Sequence, residues 1–489
     1  MPDQSLPAAL EALRAQFAPG RITTDPGDLD RYSVDSWPTA IKWARLGRLP
    51  YRPSAVATPV DADDVSALLR WAHGQGIAVT PRGLGSSVVG QPLPTRGGLV
   101  LDLSRLTEPL EIEREDLLVT TGAGRLGSDL EERLNAAGLT LGHSPQSLNR
   151  SSVGGWLATR ATGQFSSRYG GIEDLVAGFK VVLADGEQID MSTVPRGAVG
   201  PDLRQLFIGS EGTLGVITEV TLKVFPISGT RAFEAFRLPS IEPGLEALRR
   251  TSQSGLRPLL LRLYDQDESR QVLGGGRDEG CVLFTGFEGP VDVAKAEQRA
   301  VGYIVAEEGG TSLGPEPVEA WMQRRFDFSR MEGLLAEAGG YAETIEVAHR
   351  WTRIHELYQT LKLGLAELAD EVVAHFSHVY PQGTSLYLIL TGRADDDDQA
   401  LATLERIWAT AMGHTLRLGG VITHHHGVGL VKAGYVRSAL GSSMSVLQRV
   451  KDTLDPEGVM NPGKLGLAPT TMAGTTIGVR PSTDLDGVR

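Results

Sequence analysis

The run Ser151-Ser152-Val153-Gly154-Gly155-Trp156-Leu157-Ala158-Thr159 decides how this chain is read. It lies in a longer small-residue stretch, opened by Gly142-His143-Ser144-Pro145-Gln146-Ser147 and closed by Gly209-Ser210-Glu211-Gly212-Thr213-Leu214-Gly215-Val216-Ile217-Thr218. Glycine has no Cβ and tolerates positive φ, so such clusters mark places where backbone comes close to something else. Val153 to Thr159 reads as a helix start, whose free N–H groups suit a pyrophosphate. Taken singly, each cluster is more often just a turn; their order matters, together with a second loop upstream. That loop is Pro81-Arg82-Gly83-Leu84-Gly85-Ser86-Ser87, after the strand-like Ala78-Val79-Thr80. Its amides and hydroxyls suit a diphosphate nest. No Gly-Lys-Ser/Thr follows, which excludes a Walker loop. The third glycine of a dinucleotide-binding Gly-x-Gly-x-x-Gly turn is missing too.

At 489 residues the chain is long enough for two or three domains. Its 41% hydrophobic and 22% charged residues are those of a globular protein, and its 59 glycines fit a loop-rich binder. A net charge of -13 argues against a nucleic-acid surface. The single cysteine, Cys281, excludes an internal disulfide framework and suits a reducing compartment. No apolar leader follows Met1 and no window approaches the ~18 apolar residues of a membrane span, so a cytoplasmic protein is expected.

Along the chain, residues 1–50 read as a helical lead-in. A strand at Ala55–Thr58, a helix from Asp61 through Trp71 stopped by Gly74 and Gly76, and a strand at Ala78–Thr80 form a β-α-β unit that supports the first loop. Helices are expected at Leu126–Ala137, Trp351–Leu368 and Ser443–Leu454. Gly274-Gly275-Gly276 reads as a turn, Asp395-Asp396-Asp397-Asp398 as a solvated helix start, and the tail from Ala468 as disordered.

Seen together, the two glycine stretches resemble the FAD-binding domain of the vanillyl-alcohol oxidase superfamily, the type-4 FAD-linked oxidases of p-cresol methylhydroxylase (PCMH) type. The resemblance implies an α+β fold. A two-subdomain PCMH-type FAD-binding domain would span 51–228 and an α+β cap, or substrate, domain 229–425. A C-terminal segment, 426–466, would return to the FAD domain ahead of a flexible tail, 467–489. It also implies FAD, held by Pro81, Arg82, Gly83, Leu84, Gly85, Ser86, Ser87, Pro145, Ser151, Ser152, Gly154, Gly155, Thr159, Glu211, Gly212, Gly215, Val216 and Ile217. Some relatives attach the flavin through a histidine in the first loop. This loop has Ser86 and Ser87 instead, so non-covalent FAD is expected.

Three of the chain's 10 histidines are consecutive, in Thr423-His424-His425-His426-Gly427-Val428-Gly429. In extended backbone His424 and His426 share a face and His425 opposes them. The triplet can be a general base and phosphate contact, a set of metal ligands completed by His375 and His378, or structural. The motif is similar to that of alkylglycerone phosphate synthases, as are Ser144-Pro145-Gln146-Ser147 and Ile172-Glu173-Asp174-Leu175-Val176. D-2-hydroxy acid dehydrogenases of the superfamily instead carry Gly-Glu-His-Gly there, which argues against their metal site; no metal is expected.

The synthase resemblance implies exchange of the acyl group of acyl-dihydroxyacetone phosphate for a long-chain alcohol, through a covalent adduct at flavin N5 and without net redox change. It implies catalytic roles for Tyr387, His424, His425 and His426. It also gives substrate contacts to Arg262 and to His375, which replaces the family's active-site arginine. A titratable ring is a poor substitute for a bidentate cation. Phosphate binding is then rebuilt from Arg262, His424 and His426, or the substrate differs. The alternatives are an FAD-linked oxidase or dehydrogenase of a 2-hydroxy acid or alcohol, and a non-catalytic flavin subunit. From the resemblance come further expectations of a lipid-like small-molecule substrate, a homodimer and peripheral membrane contact.

Overall fold

The computed structural model describes residues 6–191, 195–275 and 280–468. Its first half holds two small sheets and a two-stranded pairing of Leu139–Thr140 with Phe225–Pro226. Short apolar strands Ala55–Ala57 and Val79–Arg82 flank Leu99–Asp102, all parallel, and the helix Ala62–Gln75 makes the crossover. Asp61 caps that helix by accepting from the Asp64 N–H, and Gly76 ends it at φ 63°, a conformation that glycine alone adopts cheaply. Gly74, read as a second stop, lies within the helix. The lead-in supplies this sheet's outer strand, Ile22–Thr23, antiparallel to Ala55–Ala57. The second sheet is antiparallel, in the order Leu110–Glu113, Leu118–Gly122, Val216–Lys223, Val176–Val182, Gln188–Asp190.

The cap is one antiparallel sheet of seven strands, ordered Thr311–Gly314, Arg231–Leu238, Cys281–Glu288, Leu260–Tyr264, Glu371–Tyr380, Gly383–Arg393, Gly340–Arg350. Period-2 alternation gives it two different faces. Leu261, Leu263, Ala374, Phe376, Leu386, Leu388, Ile345 and Val347 pack in a single core with the helices Ile241–Gln253, Trp351–Ala366 and Asp397–Leu418. The intervening Arg262, His375, Tyr387 and Thr344 line the cavity on the other face. The acid run departs from expectation. Asp396 does cap a helix, but Asp397 is buried and bonds Lys42 Nζ at 2.8 Å, because the lead-in helix Pro38–Arg45 packs there. Gly274 and Gly275 sit at positive φ, as a turn requires, while Gly276 and the tail beyond 468 lie outside the described residues.

The chain then returns to its beginning. Val79 N–H donates to Val459 and Asn461 N–H donates back to Val79, so the C-terminal segment extends the parallel sheet. The helix Met444–Leu454 sends Lys451 inward, where Nζ donates to Thr213 O at 2.7 Å, to Met460 O at 2.9 Å and to the Asp455 carboxylate. Removing one member of a buried ion pair strands the other. Lys451→Met is expected to cost about 3–5 kcal/mol, measured by urea unfolding, and to expose residues beyond 444 to protease before the cap is cut.

Candidate active site

A cavity of about 530 Å³ separates the two glycine stretches from the cap sheet. None of the backbone N–H groups from Gly83 to Val88 has a hydrogen-bond acceptor among the described residues. A row of unpaired amides inside a protein needs an acceptor from elsewhere. A diphosphate supplies one. The helix Val153–Thr159 is different: its first N–H groups are taken, Val153 donating to Arg125 O at 3.0 Å and Gly154 to Ala123 O at 2.7 Å. The expected free helix terminus is therefore absent at those two residues, because the helix start is laid against the turn after Leu118–Gly122. Glycines of the loop and of this helix serve packing. A Cβ on Gly83 would meet Ser152 Oγ at 2.2 Å, and one on Gly154 would meet Ala123 Cβ at 2.7 Å.

Of the residues expected to hold FAD, seventeen line this cavity: Pro81, Gly83, Leu84, Gly85, Ser86, Ser87, Pro145, Ser151, Ser152, Gly154, Gly155, Thr159, Glu211, Gly212, Gly215, Val216 and Ile217. Arg82 does not. Its guanidinium turns back under the loop, donates to Val34 O at 2.9 Å and lies over the Tyr32 ring, fixing the loop on the lead-in. Strand alternation sends a charged side chain to the face opposite its neighbours.

The cap contributes a row of side chains set by strand register. Glu346 pairs with Tyr387, Tyr387 with His375, and His375 with Tyr264, across four adjacent strands. The His375 ring stacks on Tyr387 with centroids 4.9 Å apart. Beside them Arg262, buried, bonds Tyr264 Oη at 2.9 Å and lies 3.9 Å from Glu268, whose carboxylate accepts from His375 Nδ1 at 2.8 Å. Burial pushes the His375 ring down and the Arg262 charge adds to this, so it is neutral near pH 7. Burial pushes the Tyr387 phenol well above the usual tyrosine range, so it is a proton donor there.

The histidine loop is bent rather than extended. It leaves the cap edge as a bridge between Val421 and Ala348 and then wraps one carboxylate. The backbone N–H groups of His424, His425 and His426 all donate to Glu346, which also accepts from Thr423 Oγ1 at 2.6 Å and Lys432 Nζ at 2.6 Å. Burial would raise the Glu346 pKa, but the Lys432 ammonium, the His426 ring and the hydrogen bonds from Lys432 and Thr423 hold it at about 2. At its other end the loop meets the FAD-binding half: Val428 and Gly429 N–H groups donate to Glu211, and Gln91 Nε2 bridges Glu211 and His426 O. Glu211 occupies the left-handed region at φ 50°, a strain held by those contacts.

The bend reverses the expected facing. His425 and His426 line the main cavity, whereas His424 lines a second cavity of about 520 Å³ behind the loop. Arg262, His424 and His426 therefore do not converge on one phosphate site. A β-bulge at Ser377–Val379 puts His378 at φ 53° beside the triplet, its Nδ1 2.9 Å from Ser166 Oγ. The ring nitrogens of His378, His424 and His425 lie within 4.8 Å of one another. Those of His424 and His425 bond each other, Nδ1 to Nδ1, at 3.0 Å. Sequence reasoning missed Glu346, Glu268 and Lys432. A signal existed for the first: Glu343 and Glu346 interrupt an otherwise apolar strand, and such an acid needs a buried partner.

Comparisons with known proteins give the family. A model of the FAD binding domain matches residues 53–192, and one of the FAD linked oxidases, C-terminal domain, matches 228–465. The uncharacterized FAD-linked oxidoreductase YgcU of Escherichia coli O157:H7 is 32% identical, over 94% of this chain and 98% of its own. The chain belongs to the FAD-linked oxidase family. Its cofactor is FAD, and the amides of the Gly83–Val88 loop fit the diphosphate. Alkyldihydroxyacetonephosphate synthase of Dictyostelium discoideum is 26% identical, over 95% of this chain and 81% of its own. The solved structure of p-cresol methylhydroxylase, 15% identical, superposes with a TM-score of 0.79 over 96% of this chain and 98% of that one, and the fold is of that type. No helix among the described residues is long and apolar enough to cross a membrane.

Glu346 sets one expectation. Its folded pKa of about 2 lies below the ordinary 4.5, so its contribution is complete above the higher value and fades as pH falls toward the lower. Glu346→Gln is expected to lower stability near neutral pH by about 3–5 kcal/mol and to flatten the acid limb. Urea unfolding followed from pH 6 to pH 2 checks both.

Proposed function

We propose that the protein is an FAD-dependent enzyme of alkylglycerone phosphate synthase type, exchanging the acyl group of acyl-dihydroxyacetone phosphate for a long-chain alcohol. One observation carries the reading: Tyr387 is stacked between His375 and His425, with ring centroids at 4.9 Å and 5.9 Å, on the wall facing the flavin loops. Bound FAD supplies an electron-accepting ring. The chain's own residues handle the protons. His425 and His426, kept neutral by burial, are acceptors for a proton leaving carbon or the alcohol hydroxyl. Tyr387, kept protonated, is a hydrogen-bond donor to the carboxylate as it departs. Arg262 is the nearest buried cation for the phosphate, and Thr344, Val373 and Ile389 line the cavity beyond it. The synthase relative, matched over nearly the whole chain, supports this reading.

A second reading, FAD-linked oxidation of a 2-hydroxy acid or alcohol, is favoured by Glu268. Its carboxylate beside Arg262 and His375 offsets the cation that a phosphate dianion would need. A substrate of lower charge meets no such opposition, and the Escherichia coli relative bears an oxidoreductase's name.

Anaerobic mixing separates the two. Loss of flavin absorbance with acyl-dihydroxyacetone phosphate, its recovery on adding a long-chain alcohol, and release of the ether are expected for the synthase. Lasting reduction by a 2-hydroxy acid or alcohol, with no response to the acyl phosphate, would replace it by the oxidoreductase; no response to either class would sink both. In the responding reaction Tyr387→Phe is expected to lower kcat at least ~100-fold while FAD content stays constant.

A further inference from the structure

The histidine loop separates two cavities, and its side chains join them. His425 lines the main cavity; its Nδ1 is 3.0 Å from His424 Nδ1. His424 lines the rear cavity, and its Nε2 is 2.8 Å from Tyr380 Oη. Tyr380 is 37% exposed. The contacts therefore run without a break from the buried reaction space to the rear cavity, which Tyr380 lines as a part-exposed residue. The rear cavity is polar where Tyr380 enters it: Glu173 and Arg160 pair there at 3.1 Å, and Glu173 Oε2 has no hydrogen-bond partner among the described residues.

We propose that His425, His424 and Tyr380 form a proton relay between the reaction cavity and solvent behind the loop. The inference rests on the reading that substrate protons are moved in the main cavity. A proton leaving substrate or alcohol binds His425 Nε2, the ring nitrogen not engaged by His424. The Nδ1 proton of His425 passes to His424 Nδ1, the Nε2 proton of His424 passes to Tyr380 Oη, and the tyrosine's original proton goes to water. One proton enters and one leaves. Each ring ends as its other neutral tautomer, and the reverse passage returns a proton when the reaction needs one. Two neutral rings bonded Nδ1 to Nδ1 must hold complementary tautomers, one donating and one accepting, so a change at either end sets the state of the other. The Glu346 anchor serves the relay directly: it fixes the backbone of all three histidines, and with it the spacing of the rings. Burial disfavours a lasting imidazolium on either ring, which suits passage over storage.

The test uses the FAD-loaded full chain with 15N-labelled histidine, wild type and Tyr380→Phe. Across the Nδ1–Nδ1 bond the wild type is expected to show a scalar coupling. In the variant the tautomer of His425, two hydrogen bonds from the substitution, is expected to change along with that of His424. A His425 ring unmoved by the substitution overturns the relay, as does one equivalent of tightly bound metal found by elemental analysis and lost in His378→Ala. Neither result depends on the substrate, so they stand apart from a failure of the proposed reaction. With whichever substrate class reacts, Tyr380→Phe is expected to slow the proton-coupled flavin step roughly 100-fold, and added imidazole to restore it in proportion to concentration. The curved dependence of rate on deuterium fraction should become linear. Slowing without imidazole rescue would mean a merely structural tyrosine.

Discussion

Glu346 is the point on which the site depends. It stands on the cap's edge strand, fully buried, and gathers three consecutive backbone amides, a hydroxyl and a lysine around one carboxylate. A buried carboxylate is tolerable only when its lone pairs are filled and a cation is near. Meeting that demand forces the chain after Val421 to curl, and the curl decides which histidine faces which cavity. The triplet's chemistry is thus set by a residue that need not touch substrate. Tyr387, its neighbour in register, inherits its place from the same strand pairing.

Much of the architecture was legible in the chain. Capping residues such as Asp61 and Asp396 and the glycine stop at Gly76 are local signals, and local signals survive tertiary context. The two flavin loops were legible for the same reason, although their glycines turned out to face other protein backbone and side chains. What could not be read was the direction of side chains in irregular segments. His424 was assigned to the same face as His426 because extended backbone alternates. The carboxylate that breaks the alternation lies far upstream in sequence. Arg82 looked like a phosphate contact until the lead-in gave it Val34 and Tyr32. Asp397 looked solvated until Lys42 reached it. In each case the deciding partner was distant along the chain, and a pattern of nearest neighbours carries no trace of it.

The charge arrangement beside the cavity is equally a product of distance. Arg262, Glu268 and His375 come from separate elements and form one buried set with a single permanent cation. At this place the protein sets a ring leaning on a carboxylate. That pairing makes the deep site less attractive to anions and more directional, since a neutral imidazole donates or accepts along one line. Differences among enzymes of this fold can reside in such a set while the loops that hold the cofactor stay the same.

The histidine loop has one carboxylate at each end, Glu346 from the cap and Glu211 from the FAD-binding half. It is a strap riveted to both bodies. A hinge that swung the cap away would have to pull amides from two buried anions, so wide opening and an assembled site exclude each other.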